Sequence, residues 1–289
     1  MLRAKSFCKV NLVLEVLGRR PDGFHEIRTV FQTIDLHDEL EFREASGIEL
    51  DCPDLPGLDP ERNLVWRAAN AIRSAAGAPC GAAITLRKSV PAGAGLGGGS
   101  SNAAIALLAL NRFWNLNLPQ ADLANLASSL GSDVPFFLEG GTALGIGRGE
   151  EIYPLPDAPS SCLVVVFPGV QVSTAAAYAG LNLSLTTWKR PLRIEKFCRR
   201  MAETLPAGIF NDFETTVIPA HAGIREAKRS LEAHGATATL LSGSGSSVFG
   251  FFLEEESSLA ACRAIARPEW RVFPAKTLSR SEYIPRVFG

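Results

Sequence analysis

Pro91 to Asn102 reads Pro-Ala-Gly-Ala-Gly-Leu-Gly-Gly-Gly-Ser-Ser-Asn, and no other stretch constrains the chain as tightly. Five of the seven residues from Gly93 to Gly99 are glycine. Such a segment reaches positive φ without strain and carries no Cβ to hold a ligand off its amide N–H groups. Successive exposed amides form a nest for an anion. Ala103 to Leu110 follows as an apolar run of good helix formers. It predicts a helix whose start falls at Ser100, Ser101 and Asn102, their oxygens acting as caps. A glycine loop feeding a helix N-terminus is suited to phosphate.

Gly93, Gly95 and Gly98 also match a dinucleotide-binding Gly-x-Gly-x-x-Gly. That pattern wants an acidic residue about 20 positions later, and the nearest, Asp122, sits in a second predicted helix. A Walker A loop ends in lysine, and none occurs between Lys88 and Lys189. What remains is a lysine-free phosphate loop, with a flexible linker or tight turn as the alternative. The predicted strand before it, Ala83 to Leu86, and the helix after it favour phosphate.

With 289 residues the chain can hold two domains, each with its own core. It is 46% hydrophobic and 20% charged, as soluble globular proteins are. The net charge of −1 and the lack of any lysine and arginine cluster argue against nucleic acid or a membrane surface as a partner. Cys8, Cys52, Cys80, Cys162, Cys198 and Cys262 show no Cys-x-x-Cys pair and no zinc-ligand spacing. They are expected to be reduced core residues of a cytoplasmic protein. The first nine residues interleave charges with apolar side chains, so no signal peptide is expected, and no run approaches the length of a membrane span.

Residues 5 to 17 predict a strand, closed by Gly18 and the turn Pro21-Asp22-Gly23; His25 to Leu36 and Glu39 to Phe42 predict two more. Pro53 to Pro60 is expected as a loop, and Asn63 to Ala76 and Pro119 to Leu130 as helices. The proline-dense segment from Pro154 to Pro159 is taken as a boundary between residues 1–154 and 155–289. Beyond it, Cys162 to Phe167, Ala236 to Leu241, Val248 to Leu253 and Arg271 to Ala275 predict strands, and 193–204, 212–234 and 257–266 predict helices. Strands and helices in that unequal order indicate α+β halves, not a doubly wound sheet.

A phosphate loop without its own lysine needs charged partners from elsewhere. Lys9 interrupts an apolar strand and shares a face with Asn11, which makes it either a placed cation or a solvated edge residue. Asp133, between Gly131-Ser132 and Val134-Pro135-Phe136-Phe137, is either a turn cap or a catalytic carboxylate. Ser242-Gly243-Ser244-Gly245 alone reads as a hairpin loop. Phe24 and His25 follow a turn where a planar ligand could stack, or form part of a plain turn.

Taken in order, these motifs resemble the GHMP kinase superfamily: Lys9-x-Asn11-Leu12, Gly18 to His25, Pro91 to Ser101, Gly131 to Phe136 and Ser242 to Gly245. The Asp22-Gly23-Phe24-His25 segment separates the chain from the mevalonate, homoserine and galactose kinases of that superfamily, although a mevalonate-type or homoserine-type kinase stays the alternative. The resemblance implies a two-domain α+β architecture: an N-terminal ATP-binding α/β domain and a C-terminal α+β domain with an antiparallel sheet. It further implies transfer of the γ-phosphoryl group of ATP, with Mg2+ as its nucleotide complex, to the 2-hydroxyl of a small molecule carrying a cytidine diphosphate group. A nucleotide-binding protein without catalysis, or a dinucleotide-dependent oxidoreductase, is the rival from another class.

By the same resemblance, Asp133 accepts the hydroxyl proton and Lys9 stands beside it. Pro91, Ala92, Gly93, Ala94, Gly95, Leu96, Gly97, Gly98 and Gly99, with the hydroxyls of Ser100 and Ser101, cradle the triphosphate, and Asn63 lies near the adenine. Phe24 and Tyr178 sandwich the cytosine, His25 meets its polar edge, and Asn11 and Thr174 line the substrate side. One position departs from the family, which commonly has tyrosine where this chain has Phe24; stacking survives there and a hydroxyl contact is lost.

Overall fold

The computed structural model describes residues 1–55, 57, 59–77, 80–181 and 208–289. The predicted helix at 193–204 and Cys198 lie outside the described residues. The chain begins with a long antiparallel hairpin, β1 (Leu2–Arg19) and β2 (His25–Arg43). β1 is buried almost continuously along its length because both its faces are covered. That explains why its sequence alternates only at the start and then thickens into an apolar run.

β2 continues where the sequence predicts a break. The polar stretch Asp35 to Asp38 stays within the strand across a register shift opposite Phe7 and Lys9, and its carboxylates take backbone donors: Asp35 Oδ1 accepts from Lys276 N at 2.7 Å, and Asp38 Oδ1 from Ser89 N and Val90 N, each at 2.7 Å. Such long strands pair with different neighbours along their length. The second half of β2 pairs with β4 (Ala82–Arg87), itself parallel to β3 (Ile48–Asp51); the first half pairs with β5 (Thr142–Ile146), which pairs with β6 (Glu151–Pro154).

One face of this sheet is covered by α1 (Leu64–Ala76), α2 (Gly98–Phe113), α3 (Gln120–Leu130) and the short α4 (Phe136–Glu139). Helix α1 is capped by the Asn63 side chain, which accepts from Val65 N, and ends on Gly77 at φ +61°. α2 starts at Gly98, earlier than the sequence predicts, with Gly97 as N-cap and no side-chain cap. Ser101 and Asn102 are therefore not caps: they lie inside the helix, buried against the sheet.

The second half of the chain builds a four-stranded antiparallel sheet in the order β11-β7-β10-β9, from β7 (Cys162–Phe167), β9 (Ala238–Leu241), β10 (Val248–Phe252) and β11 (Arg271–Lys276). Its outer face carries α6 (Glu214–Ala220), α7 (Ala222–Ala233) and α8 (Glu255–Ile265). The span predicted as one helix over 212–234 is two, because Pro219 weakens the last turn of α6 and His221 is extended. The inner face, with Leu163, Val165, Leu240, Phe249 and Phe251, packs on Val10, Leu12, Val30 and Ile34 of the first hairpin.

Three later segments tie the halves together. α5 (Thr174–Ala179) overhangs the end of the hairpin, and β8 (Phe210–Asn211) adds to β1 in parallel. α9 (Arg280–Phe288), held by a Ser279–Glu282 capping box, buries Tyr283 and Val287 in the first core.

Candidate active site

A cleft of about 810 Å³ opens between the two halves. Its floor is the middle of the hairpin, where a register shift between Phe7 and Lys9 re-aims β1 and Lys9 N donates to Leu96 O at 3.0 Å. The Lys9 side chain is 4% exposed, and its ammonium is met on several sides. Nζ donates to Asn11 Oδ1 at 2.6 Å, stands 3.4 Å from Asp133 Oδ2 and lies 5.3 Å from the centre of the Phe31 ring. Such neighbours offset the cost of placing an ammonium this deep. Asp133 arrives from the turn after α3, closed by Val134 N donating to Gly131 O at 3.1 Å, and its side chain is 34% exposed to the cleft.

The glycine loop forms one wall. Gly93, Gly95 and Gly97 all have positive φ, at +65°, +77° and +68°, and all line the cleft. The carbonyls of Ala94, Gly95 and Leu96 accept from Ser247 N, Ser242 Oγ and Lys9 N at 3.0, 2.9 and 3.0 Å. With those oxygens bound to protein, the loop's N–H groups are the ones left for an anion. Gly95 is glycine for a second reason: a Cβ there would lie 2.1 Å from Ser242 O.

The remaining loop residues are not alike. Ala94 and Leu96 are buried in the core between the sheets, Pro91 is buried, and Ala92, Gly99 and Ser100 have outer positions at the start of the loop or helix. Ser101 is turned away from the cleft: its hydroxyl donates to Phe7 O at 2.6 Å and accepts from Ser6 Oγ at 2.7 Å. That correction leaves Ser100 as the hydroxyl near the helix start. Asn63 caps α1 in a separate hollow of about 260 Å³, beside Cys52, Pro53 and Pro60.

At the other end the cleft is aromatic. Tyr178 of α5 stacks on His25, with centroids 4.2 Å apart and planes at 11°, and meets Phe213 edge-on at 4.8 Å. Phe24 stands outside that pair, half exposed, with the Arg148 guanidinium 4.9 Å from its ring centre. The ring facing Tyr178 in this structure is thus His25, not Phe24. Burial, and then the charge of Asp133, push the Tyr178 phenol up to about 12, so it stays protonated at neutral pH. Burial, followed by the charge of Arg19, holds the His25 imidazolium below its ordinary 6.5. Thr174 Oγ1 lies 3.0 Å from Ser244 Oγ at the cleft's edge, across from the loop between β9 and β10.

Sequence reasoning missed Arg19 and Arg148, the two guanidinium groups that the described residues give the cleft lining. Arg148 sits in the turn between β5 and β6, held by Glu150, which accepts from its Nε at 2.9 Å and from its backbone N at 2.6 Å. The alternation Gly145, Gly147, Gly149 around a lone arginine was the available signal.

The cleft therefore joins an amide-lined anion wall, an ammonium–carboxylate pair and an aromatic end flanked by cations. A family model described as GHMP kinases N terminal domain matches residues 63–141, and one described as GHMP kinases C terminal matches residues 193–268. A 4-diphosphocytidyl-2-C-methyl-D-erythritol kinase of Syntrophus aciditrophicus (strain SB) is 42% identical over 280 residues, which cover 96% of this chain and 100% of that protein. The chain belongs to the GHMP kinase family.

The N-terminal match of this GHMP kinase takes in the glycine loop and Asp133, and the C-terminal match takes in the loop from Ser242 to Ser247. A crystal structure of 4-(cytidine 5'-diphospho)-2C-methyl-D-erythritol kinase superposes with a TM-score of 0.81 at 34% identity, covering 96% of this chain and 99% of that one. The homoserine kinase from Cytophaga hutchinsonii ATCC 33406 shares the fold at a TM-score of 0.74 and 19% identity, covering 96% of each chain. The two-domain α+β architecture expected from the motifs is the one found, and no helix among the described residues is long and apolar enough to cross a membrane.

Proposed function

We propose that this GHMP kinase transfers the γ-phosphoryl group of ATP to the 2-hydroxyl of 4-diphosphocytidyl-2-C-methyl-D-erythritol, a step in the non-mevalonate route to isoprenoid precursors. The observation that carries the reading is the Lys9–Asp133 pair, set within one cleft between the glycine wall and the aromatic end. Names of the relatives at 42% and 34% identity support the choice of substrate.

Phosphoryl transfer asks mainly for positioning and for charge compensation. The loop amides of Gly93 to Gly97 hold the triphosphate, with Ser100 at the helix start. Asp133 takes the hydroxyl proton as the bond to phosphorus forms. An ammonium has three donors; Lys9 directs one to Asn11 and one toward Asp133, and the third faces the group in transfer. At the far end the cytosine lies against Phe24, His25 and Tyr178, while Arg19 and Arg148 stand against the diphosphate. Thr174 and Asn11 line the path between. The hollow beside Asn63 accepts the adenine, since Leu64 lies 3.8 Å from where a Cβ on Gly99 would be, next to the start of α2.

Among the described residues no group of three or more His, Cys, Asp or Glu comes together as a metal cage. Asp133 is, among those residues, the single carboxylate of the cleft lining, which fits Mg2+ carried on the nucleotide's phosphates with at most one protein carboxylate. Bound there, the ion offsets phosphate charge. The scattered cysteine spacing, with no Cys-x-x-Cys pair, supports a cytoplasmic setting.

The test is ADP formation from MgATP by purified protein with candidate alcohols. Turnover that depends on 4-diphosphocytidyl-2-C-methyl-D-erythritol is the expected result. Turnover with homoserine or mevalonate instead would assign a different acceptor.

A further inference from the structure

Thr29 of β2 is fully buried and is not part of the cleft lining, yet it ends a chain of hydrogen bonds that begins at the Lys9 ammonium. Lys9 Nζ donates to Asn11 Oδ1 at 2.6 Å, Asn11 Nδ2 donates to Thr29 Oγ1 at 2.7 Å, and Thr29 Oγ1 donates to Val13 O at 2.7 Å. The direction of every link follows from chemistry. An ammonium only donates, so the Asn11 atom facing it must be the carbonyl oxygen. The amide nitrogen then faces Thr29, whose hydroxyl must accept from it and pass its own hydrogen on to a carbonyl.

A register shift between Asn11 and Val13 makes the chain possible by bringing the Asn11 side chain beside Thr29. Asn11 and Lys9 are 2% and 3% exposed, so water does not stand in for a missing partner. The Thr29 methyl does something else. It packs on Gly145, where a Cβ would lie 3.1 Å from Thr29 Cγ2. Hydroxyl and methyl can therefore be changed one at a time.

We infer that Thr29 is a positioning residue: by accepting from Asn11 Nδ2 it locks the Asn11 amide with its oxygen toward Lys9, and so holds the Lys9 ammonium against Asp133. Without that acceptor the Asn11 amide is free to turn its NH2 toward the ammonium, and donor facing donor drives Lys9 from its place. The kinetic arm of the test rests on the kinase reading above, whereas the spectroscopic arm does not.

Thr29→Val keeps the shape and the methyl but removes the hydroxyl, and Thr29→Ser restores it. In Thr29→Val the Asn11 side-chain amide protons, assigned by NMR as the pair absent from Asn11→Ala, are expected to exchange with solvent about tenfold faster or more, the worth of one buried hydrogen bond. Thr29→Ser is expected to retain protection. On the kinetic side, kcat of Thr29→Val falls about tenfold with KM for ATP within twofold, Thr29→Ser recovers most of the loss, and in an Asn11→Ala background Thr29→Val has no further effect. Unchanged amide exchange in Thr29→Val, or a loss that adds in full to that of Asn11→Ala, would overturn the proposal. Should Thr29→Val not fold, Thr29→Ala removes hydroxyl and methyl together, and its comparison with Thr29→Ser, which lacks the methyl alone, isolates the hydroxyl. A wild-type protein that leaves the cytidyl substrate untouched would count against the kinase reading alone, since the exchange measurement needs no substrate.

Discussion

The Lys9 ammonium and the Asp133 carboxylate stand 3.4 Å apart, but the lysine is almost sealed and the aspartate one-third open. The asymmetry divides their roles. Lys9 is part of the floor, fixed by Asn11, by the Phe31 ring and by its own backbone bond to Leu96. Asp133 comes from a turn and presents its oxygens to whatever enters the cleft. A fixed cation and a reachable anion suit a reaction in which a hydroxyl loses a proton while a phosphoryl group gains a bond.

Asp133→Ala is expected to lower kcat by ~10² to 10⁴, the usual worth of a general base. The KM for ATP changes little, because the glycine wall and the Asn63 hollow are untouched. The melting temperature falls, because the buried Lys9 ammonium loses its counter-charge and keeps, among the described residues, only Asn11 Oδ1 and the Phe31 ring. Steady-state kinetics and a melting curve check both parts. Near wild-type turnover by a folded Asp133→Ala protein would leave positioning alone as the source of the rate.

His25 is expected to make substrate binding depend on pH in a defined direction. Burial first, and the charge of Arg19 second, hold its imidazolium below 6.5, so the folded protein takes up this proton less readily than the unfolded chain. Between the lowered folded value and 6.5 the unfolded state binds more protons, and stability therefore rises with pH through that window. At neutral pH the ring is uncharged and stacks on Tyr178. KM for the cytidyl substrate is expected to be flat above pH 6.5 and to climb as pH falls below it. His25→Gln, measured over the same range, should lose the climb; if it keeps it, another group is responsible.

Local chemistry was legible in the sequence, and partnership across the fold was not. The glycine wall could be read because glycine density and a following helix are features of neighbours in the chain. The helix start was misplaced since Gly98 looks like loop, whereas it is glycine for packing: a Cβ there would lie 2.9 Å from Val90 Cγ1. That shift carried Ser101 and Asn102 into the helix and onto its buried side, which no count of capping residues reveals. Lys9 stood out as a charge in an apolar strand, but only the approach of Asp133 from another part of the chain decided between solvated and placed. Arg19 and Thr29 left no local trace, because a strand end and a register shift bring them to the site, and Arg148 left only the glycine alternation of its turn.

Phe24 and Arg148 are expected to separate the two substrates. Phe24→Ala removes an aromatic surface that is half exposed and faces the cleft. Loss of one base stack costs about 1–3 kcal/mol, so KM for the cytidyl substrate should rise roughly tenfold or more while KM for ATP holds. Arg148→Met should raise the same KM through charge, and its deficit relative to wild type should shrink as salt is added. Equal effects on both substrates would place the cytosine elsewhere.

Asp38 sets the stability of the whole anion wall. It is fully buried, and its two oxygens serve both ends of the glycine loop: Oδ1 accepts from Ser89 N and Val90 N ahead of the loop, and Oδ2 from Asn102 Nδ2 in α2 at 2.9 Å and from the Lys88 ammonium. Lys88, 10% exposed, also donates to Asn102 Oδ1 at 3.1 Å. Removing one partner of such a pair strands the other charge, at a cost of about 3–5 kcal/mol. Asp38→Ala is therefore expected to shift the urea midpoint far down, whereas Asp38→Ala with Lys88→Met recovers part of the loss by removing the stranded ammonium. The stranding argument fails if the double variant is less stable than Asp38→Ala alone. Because the glycine-rich loop between these anchors has little stiffness of its own, ATP affinity should fall with Asp38→Ala under conditions where the protein remains folded, as calorimetric titration can measure.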